Sequence, residues 1–288
     1  MNILCTHGGK LNIEEFSGWG KSFMSIGHDF LFFKNKEKPI LDAFYEKKPD
    51  IFITHESFID RATKKAINLY DSCKTIIFYE NSSFLEKNKF HENVYCLKKL
   101  NPSVDIYNVI NPTVRTNLIS DINYIGEYID NDDNIFLNML SDNGFIIKVW
   151  GDKKWPYVQY LGKIKESLIK DIIVSCSVSI SSDLFSDENW ALKVFACGKP
   201  CILYRSDKTK NLISASNFNY DDEDSFLKAI IDFLQNPESL QEEVEEIRND
   251  IRNNHTSHNR ASELFNILGM KEDSDKCLME LRKILIKY

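Results

Sequence analysis

The sequence predicts an α/β protein with two doubly wound parallel sheets in two domains facing a cleft. Two observations carry that expectation. Short apolar runs alternate with helical segments along the first hundred residues, and the alternation restarts after residue 120. Between the two series, NPSVDIYNVINPTVRTN holds two Asn-Pro pairs. Asn-Pro interrupts helix and sheet alike, so a linker is expected there, with a domain boundary near Arg115.

In the first series, Asn2–Thr6 has the unbroken apolarity of a buried strand, and a glycine-interrupted helix follows over 14–25. Gly27 turns the chain into a strand at 28–33, a helix at 40–46 and a third strand at 50–54. Ser57 is placed to cap the next helix, whose Ile59, Ala62, Ala66 and Leu69 keep helical spacing. Strands at 75–79 and 94–97 complete the series.

In the second series, strands are expected at 122–125, 145–150 and 178–181, with helices at 130–140 and 166–175 and a short edge element at 160–164. Asp183–Leu203 then runs through an acidic turn, a short amphipathic helix, a Cys-Gly-Lys-Pro stop and an apolar strand. Helices at 225–234, 241–252 and 275–287 follow, and His255 and His258 read as exposed residues of a polar turn. The expected domains are 1–115 and 116–270, with 271–288 as a helix packing on the first.

With 288 residues, 43% hydrophobic and 27% charged, the chain has ample material for two cores. A net charge of −7 argues against a broad nucleic-acid surface. The start MNILCTHGG enters a strand without a leader-like segment, and no run approaches the roughly 20 apolar residues of a membrane span. Seven scattered cysteines fit reduced, buried thiols, and a cytoplasmic location is expected. Cys197 and Cys201 have no second pair or nearby histidine to make a zinc set, so no metal is expected.

Chemistry-bearing residues gather at predicted strand ends. His7, His55 with Glu56, and Glu80 follow the first, third and fourth strands, where a histidine or carboxylate can take a proton from a hydroxyl or simply hold a loop. Gly8, Gly9 and Trp19 follow the first strand, where glycine either admits a ligand or lets helix and strand pack. Asp187, Glu188 and Asn189 precede the short helix containing Trp190 and Lys193. They either cap that helix or help its free amides and Lys193 hold an anion.

INYIGEY, FIIKVWGDKKW, YLGKI with KESLIKDIIVSCSVSIS, the Ala-Cys-Gly-Lys-Pro helix end and NFNYDDEDSFLKAI occur in the order found in GT-B glycosyltransferases. This region resembles the CgeB-like, spore-maturation and group 1 members most. The resemblance implies two Rossmann-like domains and transfer of a sugar from a UDP- or GDP-sugar to an acceptor hydroxyl in an interdomain cleft, without cofactor or essential metal. The acceptor, a glycan, protein or small molecule, would lie on the N-terminal domain. Gly126 and Glu127 would close over the donor beside Gly151; Leu161–Ile164, including Gly162 and Lys163, would hold the base through backbone contacts; and Ser186–Lys193 would meet the diphosphate and sugar. His55, Glu56 and His7 are then the base candidates, with Gly8, Gly9, Trp19 and Glu80 on the acceptor side. One departure stands out: three residues before Ala-Cys-Gly, where many relatives carry a ribose-binding Glu, this chain has Lys193. A nucleotide-sugar epimerase or hydrolase, or an inactive sugar-nucleotide-binding relative, are the alternatives.

Overall fold

The computed structural model describes residues 1–6, 13–33, 39–98, 100, 102–126, 138–151, 160–182, 189–204 and 216–287. By their internal contacts they form two compact units. Met1–Asn101 with Ser257–Lys287 make the first, and Pro102–Thr256 the second.

The first unit is a five-stranded parallel sheet of β1 (Asn2–Thr6), β2 (Asp29–Phe33), β3 (Ile51–His55), β4 (Lys74–Phe78) and β5 (Val94–Leu97), in the order β2-β1-β3-β4-β5. In each central strand, alternate residues serve opposite cores. Ile3, Cys5, Ile51, Ile53, Ile76 and Phe78 enter one, while Leu4, Phe52 and Ile77 enter the other. Both faces are therefore covered, which is why these strands read as continuous apolar runs. One face is covered by α1 (Ile13–Ser25) and, from the far end of the sequence, by α9 (Ser257–Ile267) and α10 (Lys271–Lys287). The other is covered by α2 (Ile40–Lys47) and α3 (Arg61–Leu69). A short α4 (Ser83–Lys87) lies between β4 and β5.

Local chemistry sets the helix ends. The Asp60 carboxylate accepts the Thr63 amide at 2.7 Å and caps α3. Ser57, the cap expected from sequence, lies instead in a 3-10 turn, Glu56–Phe58, that His55 caps.

The second unit repeats the topology. β6 (Ser120–Ile125), β7 (Ile147–Trp150), β8 (Cys176–Ser182), β9 (Cys201–Tyr204) and β10 (Asn219–Tyr220) stack in parallel as β10-β9-β8-β6-β7. Its helices are α5 (Ile169–Val174), α6 (Trp190–Ala196), α7 (Glu223–Gln235) and α8 (Gln241–Asn254), with residues 138–142 also helical. The Cys-Gly-Lys-Pro stop is a left-handed helix end. Gly198 sits at φ +75°, its amide bonds Phe195 O at 2.8 Å, and Lys199 N reaches Val194 O at 3.3 Å.

The Asn-Pro stretch differs from a free linker. Val104, Ile106, Val109 and Ile110 are buried, and Val104 pairs with Thr256 inside the second unit. Farther along, Thr113 N and Arg115 hold the buried Asp171 carboxylate at 2.9 and 2.6 Å. The units accordingly change over after Asn101 and Thr256, where the sequence reading puts the changes near 115 and 270. His258 differs too: it lies in α9 and is 1% exposed, because that helix covers the sheet. His255 is largely buried beside Asp250 at 3.6 Å. Among the described residues the cysteines are unpaired and mostly buried, and no helix is long and apolar enough to cross a membrane.

Candidate functional site

In both units the strand order reverses direction beside the first strand, between β1 and β3 and between β6 and β8. Ligands of open parallel sheets bind beyond the carboxyl ends of strands at such a switch point. Among the described residues, most of those singled out from the sequence lie at the carboxyl ends of the strands.

At the edge of the first unit, β1 ends at Thr6, whose hydroxyl pairs with that of Thr54 at 3.0 Å. β3 ends at His55, which is 5% exposed. The backbone amide of Ser57 donates to His55 Nδ1 at 3.2 Å, and Ser57 Oγ lies 2.8 Å from the same nitrogen. An amide can only donate, so Nδ1 is the acceptor and the neutral ring carries its proton on Nε2. Nε2 faces Glu80 Oε1 at 3.9 Å, with the Glu80 side chain half exposed. Glu56 turns the other way: its Oε1 accepts the backbone amides of Glu80 and Asn81 at 3.0 and 3.4 Å. Three of the residues that the sequence places on one sheet edge thus form one cluster across the ends of β3 and β4. Trp19 is different. It is 2% exposed and packs against Phe78 at 5.7 Å between ring centres, so it belongs to the core rather than to a ligand surface.

At the edge of the second unit, Gly126 and Gly151 follow β6 and β7, and Gly126 N donates to Trp150 O at 3.1 Å. The 160–162 segment extends the sheet edge. Val149 pairs with Tyr160, Leu161 N donates to Val149 O at 2.8 Å, and Gly151 N donates to Gly162 O at 3.3 Å. Gly162 holds φ +98°, a conformation that suits glycine. The Tyr160 hydroxyl donates to Gly151 O at 3.0 Å, a buttress not singled out from the sequence; an aromatic hydroxyl opening an edge element was its only signal. Leu161 and Lys163 are exposed, though the Leu161 amide is already committed.

Asn189 is buried at the start of α6, and Lys193 is half-buried on it. Trp190 is 3% exposed and its indole N–H donates to Ile180 O at 3.2 Å, so it anchors α6 to β8 instead of meeting a ligand. His7, Gly8, Gly9, Glu127, Asp187 and Glu188 lie outside the described residues. Among the described residues no group of three His, Cys, Asp or Glu is placed to hold a metal.

Residues 133–266, a little under half of the chain, match a family described as "Glycosyl transferase-like". No curated protein sequence matches. Among solved structures, the chain is similar to the glycosyltransferase SnogD from Streptomyces nogalater at 10% identity and TM-score 0.54, over 92% of this chain and 99% of that one. It is similar to the glycosyltransferase VinC in complex with DTDP at 8% identity and TM-score 0.55, over 93% and 100%. A mutant O-GlcNAc transferase of Thermobaculum terrenum gives 8% identity and TM-score 0.54, over 96% and 68%. The chain has the GT-B fold of these glycosyltransferases.

Proposed function

We propose that this protein is a glycosyltransferase that moves a sugar from a UDP- or GDP-linked donor to an acceptor hydroxyl, without a metal cofactor, in the cytoplasm. The observation that carries the reading is the pair of parallel sheets with one strand order, sharing their fold with sugar-transferring enzymes over more than nine-tenths of the chain. The family match over 133–266 and the DTDP bound to VinC support a nucleoside diphosphate as the donor's leaving group. Within the transferases, the segment order over 120–205 favours the CgeB-like group.

In this reading the donor lies at the β6/β8 edge. The glycine turns at Gly126 and Gly151 let the backbone come close to it, and the 160–163 edge meets the base. The start of α6 and Lys193 offset the diphosphate charge where a metal would otherwise do so. The acceptor hydroxyl, on a glycan, protein or small molecule, is served from the β3–β4 edge of the first unit. No nucleic acid is required.

A thermal-shift screen across UDP-, GDP- and dTDP-sugars tests the reading. A donor present at about a hundred times its dissociation constant adds about 3 kcal/mol of stability. Lys193→Ala is expected to weaken that shift at least fivefold in apparent affinity. A chain that no nucleotide or nucleotide-sugar stabilises is not a transferase of this kind.

A further inference from the structure

At the carboxyl end of β7 the backbone of one residue is held from both sides. Gly151 N donates to Gly162 O at 3.3 Å, and Gly151 O accepts the Tyr160 hydroxyl at 3.0 Å. We infer that Tyr160 is a positioning residue for nucleotide binding: its hydroxyl fixes the end of β7 and the 160–162 edge to one another before a donor arrives. This assignment rests on the transferase reading and concerns the second unit alone.

A backbone edge can meet a base well only if its amides and carbonyls already stand in place, because ordering them on binding costs conformational entropy. The 160–162 edge is short. Backbone joins it to β7 through the Val149–Tyr160 bridge, the Leu161 amide on Val149 O at 2.8 Å, and the Gly151–Gly162 bond. In a regular strand the N–H of one residue and the C=O of the next point to opposite sides. Here Leu161 N and Gly162 O both reach β7, and the positive φ of Gly162, +98°, accounts for the reversal. A segment that leaves the regular strand so soon has little to hold its far end. The Tyr160 hydroxyl supplies that hold, and it is a contact that phenylalanine cannot make.

The same sheet carries a matched contact at its opposite edge. On β10, the Tyr220 hydroxyl donates to Asn217 O at 3.1 Å. The chemistry is the same, a phenol on a backbone carbonyl, but that edge is separated from β7 by β9, β8 and β6. A role in holding the nucleotide edge therefore belongs to Tyr160 and not to Tyr220.

The test compares Tyr160→Phe with Tyr220→Phe in the full chain, with UDP, GDP and dTDP as calorimetric probes. Tyr160→Phe should raise the dissociation constant of the nucleotide that binds the unsubstituted chain about three- to tenfold; Tyr220→Phe should leave it unchanged. Gly162→Ala, strained at that φ, should weaken binding about fivefold or more. In hydrolysis of the corresponding nucleotide-sugar, Tyr160→Phe should raise KM by the same factor at constant kcat. Hydrogen exchange in peptides covering 149–151 and 160–162 should be faster in Tyr160→Phe without nucleotide and return to the unsubstituted rate at saturation. Unchanged affinity in Tyr160→Phe, equal losses in the two tyrosine variants, or a fall in kcat at constant KM overturns the assignment and leaves the transferase reading intact. Absence of nucleotide binding by the unsubstituted chain removes both.

Discussion

The two units share a strand order but fill their sheets with different chemistry. The middle of each central strand of the first sheet is apolar, with Ile3, Leu4, Phe52, Ile53, Ile76 and Ile77 each no more than 2% exposed, and the buried polar residues Thr6, Thr54, His55 and Thr75 stand at or next to strand ends. The equivalent strands of the second carry buried Ser120, Asn123, Ser179 and Ser181 among their apolar residues. Apolar burial needs no particular partner, whereas each buried polar group must find one. Asn123 finds Ile172 O at 3.2 Å, tying β6 to α5. The middle of the first sheet is thus held by packing, with its polar pairs such as Thr6–Thr54 at the strand ends, whereas the second carries a directed polar contact, that of Asn123, inside the sheet.

The largest expected effect breaks the packed side. Phe52 is fully buried and meets Phe44 edge-on at 4.9 Å. Phe52→Ala should cost about 3–5 kcal/mol, read as lost hydrogen-exchange protection in peptides of the first unit. Next, Asp171→Ala should cost about 2–4 kcal/mol, localised to the second unit, since the pair with Arg115 and the Thr113 amide both go. Burial pushes the Asp171 carboxyl up, but the Thr113 amide and the Arg115 guanidinium outweigh it and hold it below its ordinary 3.8. Its stabilisation is therefore present above that value and lost as pH falls through the lower folded one.

The smallest effect sharpens the contrast in pH. Burial of His28 lowers its pKa below the ordinary 6.5, against the opposing pull of Asp273, which lies 3.2 Å away on α10. The unfolded chain takes a proton that the folded ring resists, so the first unit should lose stability as pH falls from about 6.5. His28→Asn should flatten that slope in pH-resolved denaturation. A second unit that weakened over the same range would erase the distinction.

Much of the fold was legible in the sequence because a strand buried on both faces has few residues to choose from. β1 and β5 lie where the apolar runs place them, and the α6 stop was marked by Cys-Gly-Lys-Pro. Legibility failed where tertiary contacts override local pattern. Val104, Ile106 and Ile110 look like a linker beside Asn-Pro pairs, yet all three are buried, and Val104 pairs with the distant Thr256. His258 looks polar and exposed until α9 is known to cover the first sheet. At the candidate site, strand ends named His55, Glu56 and Glu80, but not how His55 and Glu56 are held. That depends on which ring nitrogen Ser57 occupies and which amides Glu56 holds, distances that no spacing in the sequence encodes. Trp19 and Trp190 misled for the same reason, since a large aromatic beside a glycine turn serves core and ligand alike.

The covering of the first sheet by α9 and α10 has a consequence for synthesis on the ribosome. The second unit is continuous in the chain, whereas the first must wait for Leu264, Phe265 and Cys277 to close one of its two cores. Domains fold as they emerge. The unit begun second is therefore complete first, and the apolar face of β1, β3 and β4, covered until then by α1 alone, stays partly open to water and chaperones until residues 257–287 arrive.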